Sequence, residues 1–192
     1  MLQMLNNVRM PEGNDSLEKS VAWPSTNRYF HEGVLGYCNS INTRPEQLGV
    51  VFIDFQLSNL LFFLEQDWLV CSLYSRIVLI TDSYLLPLAN YYKETFHQID
   101  SVIHVTGASE DFFIQIEYVI SGLRVSSVSQ ECFSSREICL LRTLARGVSV
   151  RGIADRLQLS PKTVYSMRQS LLEKMGLTKM NHIFMYTVKE VR

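Results

Sequence analysis

One segment near the carboxyl end specifies a helix at both of its boundaries, and it restricts the fold more than any other part of the chain. Ser160 can accept a hydrogen bond from the first free backbone N–H groups, and Pro161 lacks the N–H that would go unpaired at the next position. Gly176 can adopt the left-handed conformation that ends a helix. We therefore predict a single helix between Ser160 and Gly176.

The side chains of this segment divide between an apolar and a polar face. Apolar residues recur at spacings of three and four, at Val164, Met167, Leu171 and Met175, so one stripe faces a core. An ordinary amphipathic surface helix would show the same pattern. The opposite face carries seven polar side chains: Lys162, Thr163, Tyr165, Ser166, Arg168, Gln169 and Lys174.

Two shorter helices are predicted before this one. Ser134 and Glu137 have the spacing of a capping box, and the helix that they begin ends near Gly147. Ser149 can cap a second short helix that ends near Leu157. Two short helices that lead into a longer, polar-faced helix form a helix-turn-helix arrangement. A fourth amphipathic segment, residues 179–188, adds three apolar side chains to the same core: Ile183, Phe184 and Val188.

Residues 133–177 resemble the DNA-binding domain of the LuxR/FixJ (GerE-like) transcription regulators. The matching positions are Arg136-Glu137, Ala145, Gly147, Ile153-Ala154, Leu157, Leu159-Ser160, Thr163-Val164, Lys174 and Gly176. The resemblance implies that Thr163 and Lys174 hold DNA phosphates. It also implies three side chains that meet base edges: Tyr165, Ser166 and Gln169. Met167 stands where many members have histidine, so we assign it no DNA contact.

The charge of the chain is divided unequally between its two parts. Residues 133–192 contain 11 Lys and Arg and 4 Asp and Glu, a net charge of +7, whereas residues 1–132 carry a net charge of −8. A cationic domain gains affinity for DNA by displacing counterions from the phosphate backbone. A basic face that only contacts solvent is the alternative. Together with the motif, the charge predicts double-stranded DNA as the partner.

Composition excludes several other classes of protein. With 192 residues, of which 47% are hydrophobic, the chain can bury a core in one medium and one small domain. Four cysteines and four histidines are scattered, which predicts free thiols in a reducing cytoplasm and no metal site. The apolar window at residues 55–64 is too short to span a bilayer. We find no catalytic set or phosphate loop, and therefore expect neither enzyme activity nor a cofactor.

The first part of the chain alternates between strand and helix patterns. Nearly continuous apolar runs at residues 49–53 and 76–80 are typical of strands that are covered on both faces, and residues 101–105 and 21–23 are weaker candidates. Helical patterns follow at residues 27–38, 58–73, 84–96 and 110–121. Such alternation predicts a parallel α/β domain. We divide the chain into a tail (1–19), an α/β domain (20–121), a linker (122–132) and the helix-turn-helix domain (133–192).

The α/β domain resembles a receiver domain that has lost its chemistry. Asp54 lies where receivers carry their phosphoacceptor, and Thr81 lies where they carry a switch hydroxyl. Phosphoryl transfer to a carboxylate needs Mg²⁺ held by further carboxylates, but the first strand would end at Trp23-Pro24-Ser25. The receiver lysine is also missing near residues 105–107, and the short interval before Asp54 predicts the loss of one βα unit. We favour a structural Asp54 that accepts hydrogen bonds from the next turn.

The whole chain is also similar to regulators of fimbrial genes in enteric bacteria, of the EcpR and FimW kind. The residues that carry this resemblance are Trp23-Pro24, Tyr29-Phe30, Gly33 and Leu88-Ala89-Asn90-Tyr91-Tyr92. It implies control of surface-adhesin genes. A dimer is expected because one helix-turn-helix reads only a few base pairs. Its candidate surfaces are residues 179–188 and the aromatic side chains Tyr91, Tyr92, Phe96, Phe112 and Phe113, which could equally be core residues.

Three functions remain open on the sequence alone. The first is a sequence-specific transcription regulator that binds DNA as a dimer without phosphorylation, which we prefer. The second is a response regulator that depends on phosphorylation of Asp54. The third is a protein that titrates another regulator through protein–protein contact, as in a heterodimer.

Overall fold

The computed structural model describes residues 22–23, 27–41, 49–65, 76–105, 109–126 and 131–185. They form an α/β domain followed by a helical domain, as the sequence predicts. The amino-terminal tail, the second half of the helix predicted at residues 58–73 and the end of the fourth predicted segment lie outside the described residues.

The sheet of the α/β domain contains four strands. They are β1 (Ala22–Trp23), β2 (Val50–Phe55), β3 (Arg76–Thr81) and β4 (Ile99–His104). They lie in the order β1-β2-β3-β4, and each neighbouring pair is parallel. Most positions of the central strands are apolar because helices cover both faces of the sheet. The prediction of a parallel α/β domain is confirmed.

Among the described residues, the position of β1 agrees with the predicted loss of one βα unit. A sheet with the doubly wound order 2-1-3-4-5 has a further strand beyond its first one. Within the part of the chain that the structure describes, β1 pairs with β2 only and therefore lies at an edge. One described helix, α1 (Arg28–Ser40), separates these two strands.

Helices lie on both faces of the sheet. After α1 come a short 3₁₀ turn (Leu57–Asn59), α2 (Leu60–Leu64), α3 (Leu86–Thr95) and α4 (Ser109–Ile120). Along β2, Val50 and Phe52 pack with α1 and α4, whereas Val51 and Ile53 pack with α2 and α3. This alternation follows from the two-residue period of a strand.

The first residues of the predicted linker belong to the α/β domain. Val125 is buried, and its carbonyl oxygen accepts hydrogen bonds from Val102 N at 3.2 Å and Lys93 Nζ at 2.9 Å. Its N–H donates to Ser101 Oγ at 3.0 Å. The segment after α4 therefore runs beside β4 before the chain leaves the domain.

The helical domain contains the four helices predicted for it. They are α5 (Ser135–Ala145), α6 (Val150–Leu157), α7 (Pro161–Lys174) and α8 (Met180–Met185). Leu140, Ile153, Ala154 and Val164 form a small core between α5, α6 and α7. Ile183 of α8 is fully buried. No helix in the described ranges combines the length and apolar character needed to cross a membrane.

The hydrophobic core is continuous between the two domains. Ile138 and Leu141 of α5 belong to the same buried cluster as Phe63 and Leu64 of α2. Phe133 N donates a hydrogen bond to the carbonyl oxygen of Pro87 in α3, at 3.2 Å. The helical domain is therefore packed on the side of the sheet that carries α2 and α3.

Candidate nucleic-acid interface

The ends of α7 are fixed by the residues that the sequence analysis assigned to them. Ser160 Oγ accepts a hydrogen bond from Thr163 N at 3.1 Å, and Pro161 is the first helical residue. At the other end Gly176 has a φ of 63°, and Leu177 N donates to the carbonyl oxygen of Leu172 at 2.9 Å. This pattern is that of a Schellman motif. The predicted boundaries are confirmed.

The apolar stripe of α7 anchors the helix, and its polar side faces solvent. Val164, Leu171 and Met175 are buried. Five of the predicted contact residues are exposed: Lys162, Thr163, Tyr165, Ser166 and Gln169. Arg168 is half-buried, and 57% of the surface of Tyr165 is accessible. A helix held in this way can present its polar face to a groove of DNA without leaving the core.

The helix-turn-helix geometry depends on α6 and the turn that follows it. Ser149 Oγ accepts from Gly152 N at 3.2 Å and caps α6. Gln158 adopts a left-handed conformation, with φ 55° and ψ 42°, and redirects the chain into α7. Ile153 and Ala154 then pack against Val164. The orientation of α7 is therefore set by a turn and a small core.

Two of the exposed polar side chains, Gln169 and Thr163, already have hydrogen-bond partners in α7 or at its N-cap. Gln169 Nε2 donates to Glu173 Oε1 at 3.0 Å, one turn further along the helix. The hydroxyl groups of Ser160 and Thr163 lie 2.8 Å apart. Both pairs restrict the rotamers of residues that face solvent, which lowers the entropy lost on binding.

Lys174 differs from the other predicted contacts because its ammonium group is bonded inside the domain. Lys174 Nζ lies 2.8 Å from Glu137 Oε2 and 3.0 Å from the carbonyl oxygen of Cys132. Burial would raise the pKa of Glu137, but hydrogen bonds from Lys174 and Ser134 outweigh it and hold that pKa below its ordinary value. The ion pair joins the carboxyl end of α7 to the start of α5.

A cleft of about 420 Å³ lies between α7 and the start of α8. Arg168 and Gln169 line one side, and Thr178, Lys179 and Asn181 line the other. None of the last three is a predicted DNA contact, because the segment from residue 179 is predicted to join the core and to offer a candidate dimer surface. Their position depends on the turn at Gly176, and no spacing along the sequence reveals it.

Asp54 lies near the end of β2 and is almost fully buried. Its side chain is 1% exposed, and Oδ2 accepts a hydrogen bond from Asn27 Nδ2 at 2.6 Å. Burial raises the pKa of Asp54, the bond from Asn27 opposes the rise, and nearby Asp82 adds to it. Oδ1 has no hydrogen-bond partner among the described residues.

The expectation that the carboxylate of Asp54 accepts hydrogen bonds from the next turn is wrong. Gln56 N and Asn59 Nδ2 donate instead to its backbone carbonyl oxygen, both at 3.1 Å. Asp82 makes the predicted kind of contact one strand later, since its Oδ1 accepts from Tyr84 N at 2.9 Å and Leu85 N at 3.1 Å. Asn27 replaces the turn as the partner of Asp54 because it caps α1 on the same face of the sheet.

Two family models match the chain, one for each domain. Residues 7–120, more than half of the chain, match the EcpR N-terminal domain. The chain belongs to that family. Residues 131–187 match the model described as bacterial regulatory proteins, luxR family. A member of the EcpR N-terminal domain family thus carries a LuxR-type helix-turn-helix domain, and it is a DNA-binding regulator rather than a member of an enzyme family.

Several individual proteins are similar to this family member. The uncharacterized protein YqeH of Escherichia coli strain K12 is 27% identical over 84% of this chain and 78% of its own length. A structure of two RcsB dimers bound to two parallel DNAs is 18% identical, covers 83% of this chain and 92% of that one, and has a TM-score of 0.44. A structure of RcsB from Salmonella enterica serovar Typhimurium bound to promoter P1flhDC is also 18% identical. It covers 78% of this chain and 80% of that one, and it has a TM-score of 0.35.

Proposed function

We propose that this regulator binds double-stranded DNA in a sequence-specific manner by placing α7 in the major groove. The observation that carries the proposal is the solvent-facing polar side of a helix whose apolar stripe is buried, within a segment of net charge +7. A regulator that binds the chromosome acts in the cytoplasm. Six side chains are proposed as contacts: Lys162, Thr163, Tyr165, Ser166, Arg168 and Gln169.

The contacts are proposed to divide into two kinds. Gln169, Tyr165 and Ser166 meet base edges, since amide and hydroxyl groups can both donate and accept hydrogen bonds. Lys162 and Thr163 meet the phosphate backbone near the start of α7, where the positive end of the helix dipole also attracts anions.

Substitution of one residue of each kind tests this division. Gln169→Ala is expected to cost about 1–3 kcal/mol on the preferred site and little on unrelated DNA. Lys162→Ala is expected to weaken binding to every duplex alike and to lower the salt slope by roughly one. Titration of fluorescent duplexes at several salt concentrations measures both. Equal losses on preferred and unrelated DNA for Gln169→Ala would refute base reading by that residue.

The proposed targets are genes of fimbriae and other surface adhesins. Support comes from the match to the EcpR N-terminal domain and from the resemblance of the whole chain to fimbrial regulators. Selection of bound fragments from genomic DNA, at two salt concentrations, names the target genes and measures specificity together. Fragments that are retained at the higher salt concentration are expected to include adhesin promoters, and a random set of fragments would contradict the proposal.

We further propose that the regulator acts without phosphorylation of Asp54. The carboxylate is buried and bonded to Asn27, and Asp82 is engaged by backbone N–H groups. In the described ranges no group of three acidic, histidine or cysteine side chains could hold a metal ion. The residues present therefore do not fit the Mg²⁺ site that aspartyl phosphorylation needs. Incubation with acetyl phosphate and Mg²⁺ is expected to leave the intact mass unchanged, and an added phosphoryl group would overturn this point.

A dimer is proposed as the form that binds DNA. Four of the five aromatic side chains considered for a dimer surface pack in or against the core, namely Tyr91, Tyr92, Phe96 and Phe112. On α4, however, Phe113, Ile114 and Tyr118 are 42%, 46% and 50% exposed. Sedimentation of the full chain with and without DNA is expected to show dimers that Ile114→Asp weakens. Strict monomers in both samples would exclude the homodimer and favour a heterodimer with another regulator.

A further inference from the structure

Two lysines near the carboxyl end of α7, Lys174 in its last turn and Lys179 after it, have side chains with different surroundings. Lys174 is 29% exposed and is paired with a carboxylate that is itself 9% exposed. That carboxylate accepts further hydrogen bonds from Ser134 N at 2.7 Å and Ser170 Oγ at 3.2 Å. Release of Lys174 to a DNA phosphate would leave Glu137 buried and without its counterion, which is strongly unfavourable.

Lys179 is exposed, and it makes no ion pair within the described part of the chain. It lines the cleft together with Arg168, whose guanidinium is likewise free of ion pairs among the described residues. The two residues therefore line one cleft, Arg168 from α7 and Lys179 from the segment before α8. None of the described residues that line the cleft is acidic.

The cleft is continuous with the face of α7 that we propose reads bases. Tyr165, Arg168, Gln169 and Leu172 line it at successive spacings of three, one and three residues. At about 100° per residue these positions share one side of the helix. Lys174 projects about half a turn away from that side, toward α5.

We propose that this cleft binds a phosphate of the DNA backbone and that Lys179, not Lys174, provides the lysine contact at the carboxyl end of α7. Arg168 can engage two phosphate oxygens with its guanidinium, and Lys179 contributes a point charge. Thr178 and Asn181 add neutral hydrogen-bond donors at the rim. Lys174 then acts as a structural residue that fixes α7 to α5. This proposal depends on DNA binding by the helical domain, as proposed above.

The test compares lysine variants of the full-length protein by the salt dependence of DNA affinity. Lys179→Ala is expected to lower the slope of log K against log salt by roughly one and to weaken binding roughly eightfold at 0.1 M salt, on preferred and unrelated duplexes alike. Lys179→Arg is expected to restore the slope. Arg136→Ala is the matched control, because Arg136 is an exposed cation of the same domain that lies outside the cleft.

Lys174→Met is expected to keep the slope of the unmodified protein while lowering the midpoint of thermal unfolding. Circular dichroism at the assay temperature confirms that each variant is folded. An unchanged slope for Lys179→Ala, or a slope lowered by one for Lys174→Met, would overturn the assignment. Failure of the unmodified protein to bind any duplex would instead reject the proposed function, so the two failures are distinguishable.

Discussion

Asp54 shows how one residue can retain a receiver-like position without the surroundings that receiver chemistry needs. Its carboxylate is almost fully buried, with one oxygen bonded to Asn27 and the other without a partner among the described residues. Burial raises its pKa, so the folded protein holds the proton more tightly than the unfolded chain does. The charged form therefore costs stability at neutral pH.

Replacement of this carboxylate by an amide should stabilise the protein. Asp54→Asn is expected to raise the free energy of unfolding at pH 7 by about 1 kcal/mol, because it removes a desolvated charge but keeps the shape. The gain should shrink as the pH falls through the raised pKa and vanish below the ordinary value of 3.8, where Asp54 is protonated in both states. Urea unfolding at several pH values measures it.

Asp111→Asn provides the control, because Asp111 is an exposed aspartate on α4. It should change stability at pH 7 much less than Asp54→Asn does. A loss of stability in Asp54→Asn at pH 7 would contradict the prediction, because it would mean that interactions in the folded protein stabilise the charged carboxylate.

At the scale of elements, the helical domain is set by short-range signals at the ends of its helices. Ser134, Ser149 and Ser160 each accept a hydrogen bond from the backbone N–H three residues later. Ser134 and Glu137 complete a full capping box. Each cap contributes about 1 kcal/mol. The starting points of these three helices could therefore be predicted from the sequence.

The residue in the turn between α6 and α7, Gln158, has a left-handed backbone conformation that does not suit its residue type. Gln158 is the only described residue other than glycine with a positive φ. Gln158→Gly is expected to stabilise the protein by up to about 1 kcal/mol, since glycine adopts this region without steric cost. Gln158→Val should destabilise it, because a β-branched side chain suits the region least. Thermal unfolding of both variants measures the effect, and stabilisation by valine would contradict it.

At the scale of the whole molecule, the two domains form one packed unit. The buried cluster around α2 and α3 includes Ile138 and Leu141 of α5. Arg142 Nε donates to the carbonyl oxygen of Leu64 at 2.9 Å, and Asn90 Nδ2 donates to the carbonyl oxygen of Glu131 at 2.9 Å. The contact lies away from the polar face of α7, which stays exposed while the domains are packed.

This shared core predicts that the two domains unfold together. Scanning calorimetry of the full chain is expected to show a single cooperative transition. Arg142→Leu should lower its midpoint or divide it in two, because the carbonyl oxygen of Leu64 loses its partner at a cost of about 1–3 kcal/mol. Arg146→Ala is the control, since the Arg146–Glu65 pair is exposed, with N and O 3.5 Å apart. Two transitions in the unmodified protein would contradict the shared core.

The sequence predicted the strands of the α/β domain better than the contacts of its side chains. Continuous apolar runs identified β2 and β3 because a strand between two helical layers has few polar positions. The partner of Asp54 could not be predicted in this way, since Asn27 is distant in the sequence and only the sheet brings the two together. The exposure of the apolar side chains on α4 could not be predicted either, because the same residue types also fill the core.

The sequence by itself determined the helix boundaries, the parallel sheet, the family resemblance and the division of charge. These features depend on helix caps, on the spacing of apolar residues and on local composition, each of which can be read within a short stretch of the chain. Only the tertiary structure decided that Lys174 is bonded to Glu137, that Lys179 and Arg168 line the same cleft, and that the two domains share a core. A side chain is available to DNA only if its release does not leave a buried charge, such as that of Glu137, without its counterion. That outcome depends on residues that the chain brings together from far apart.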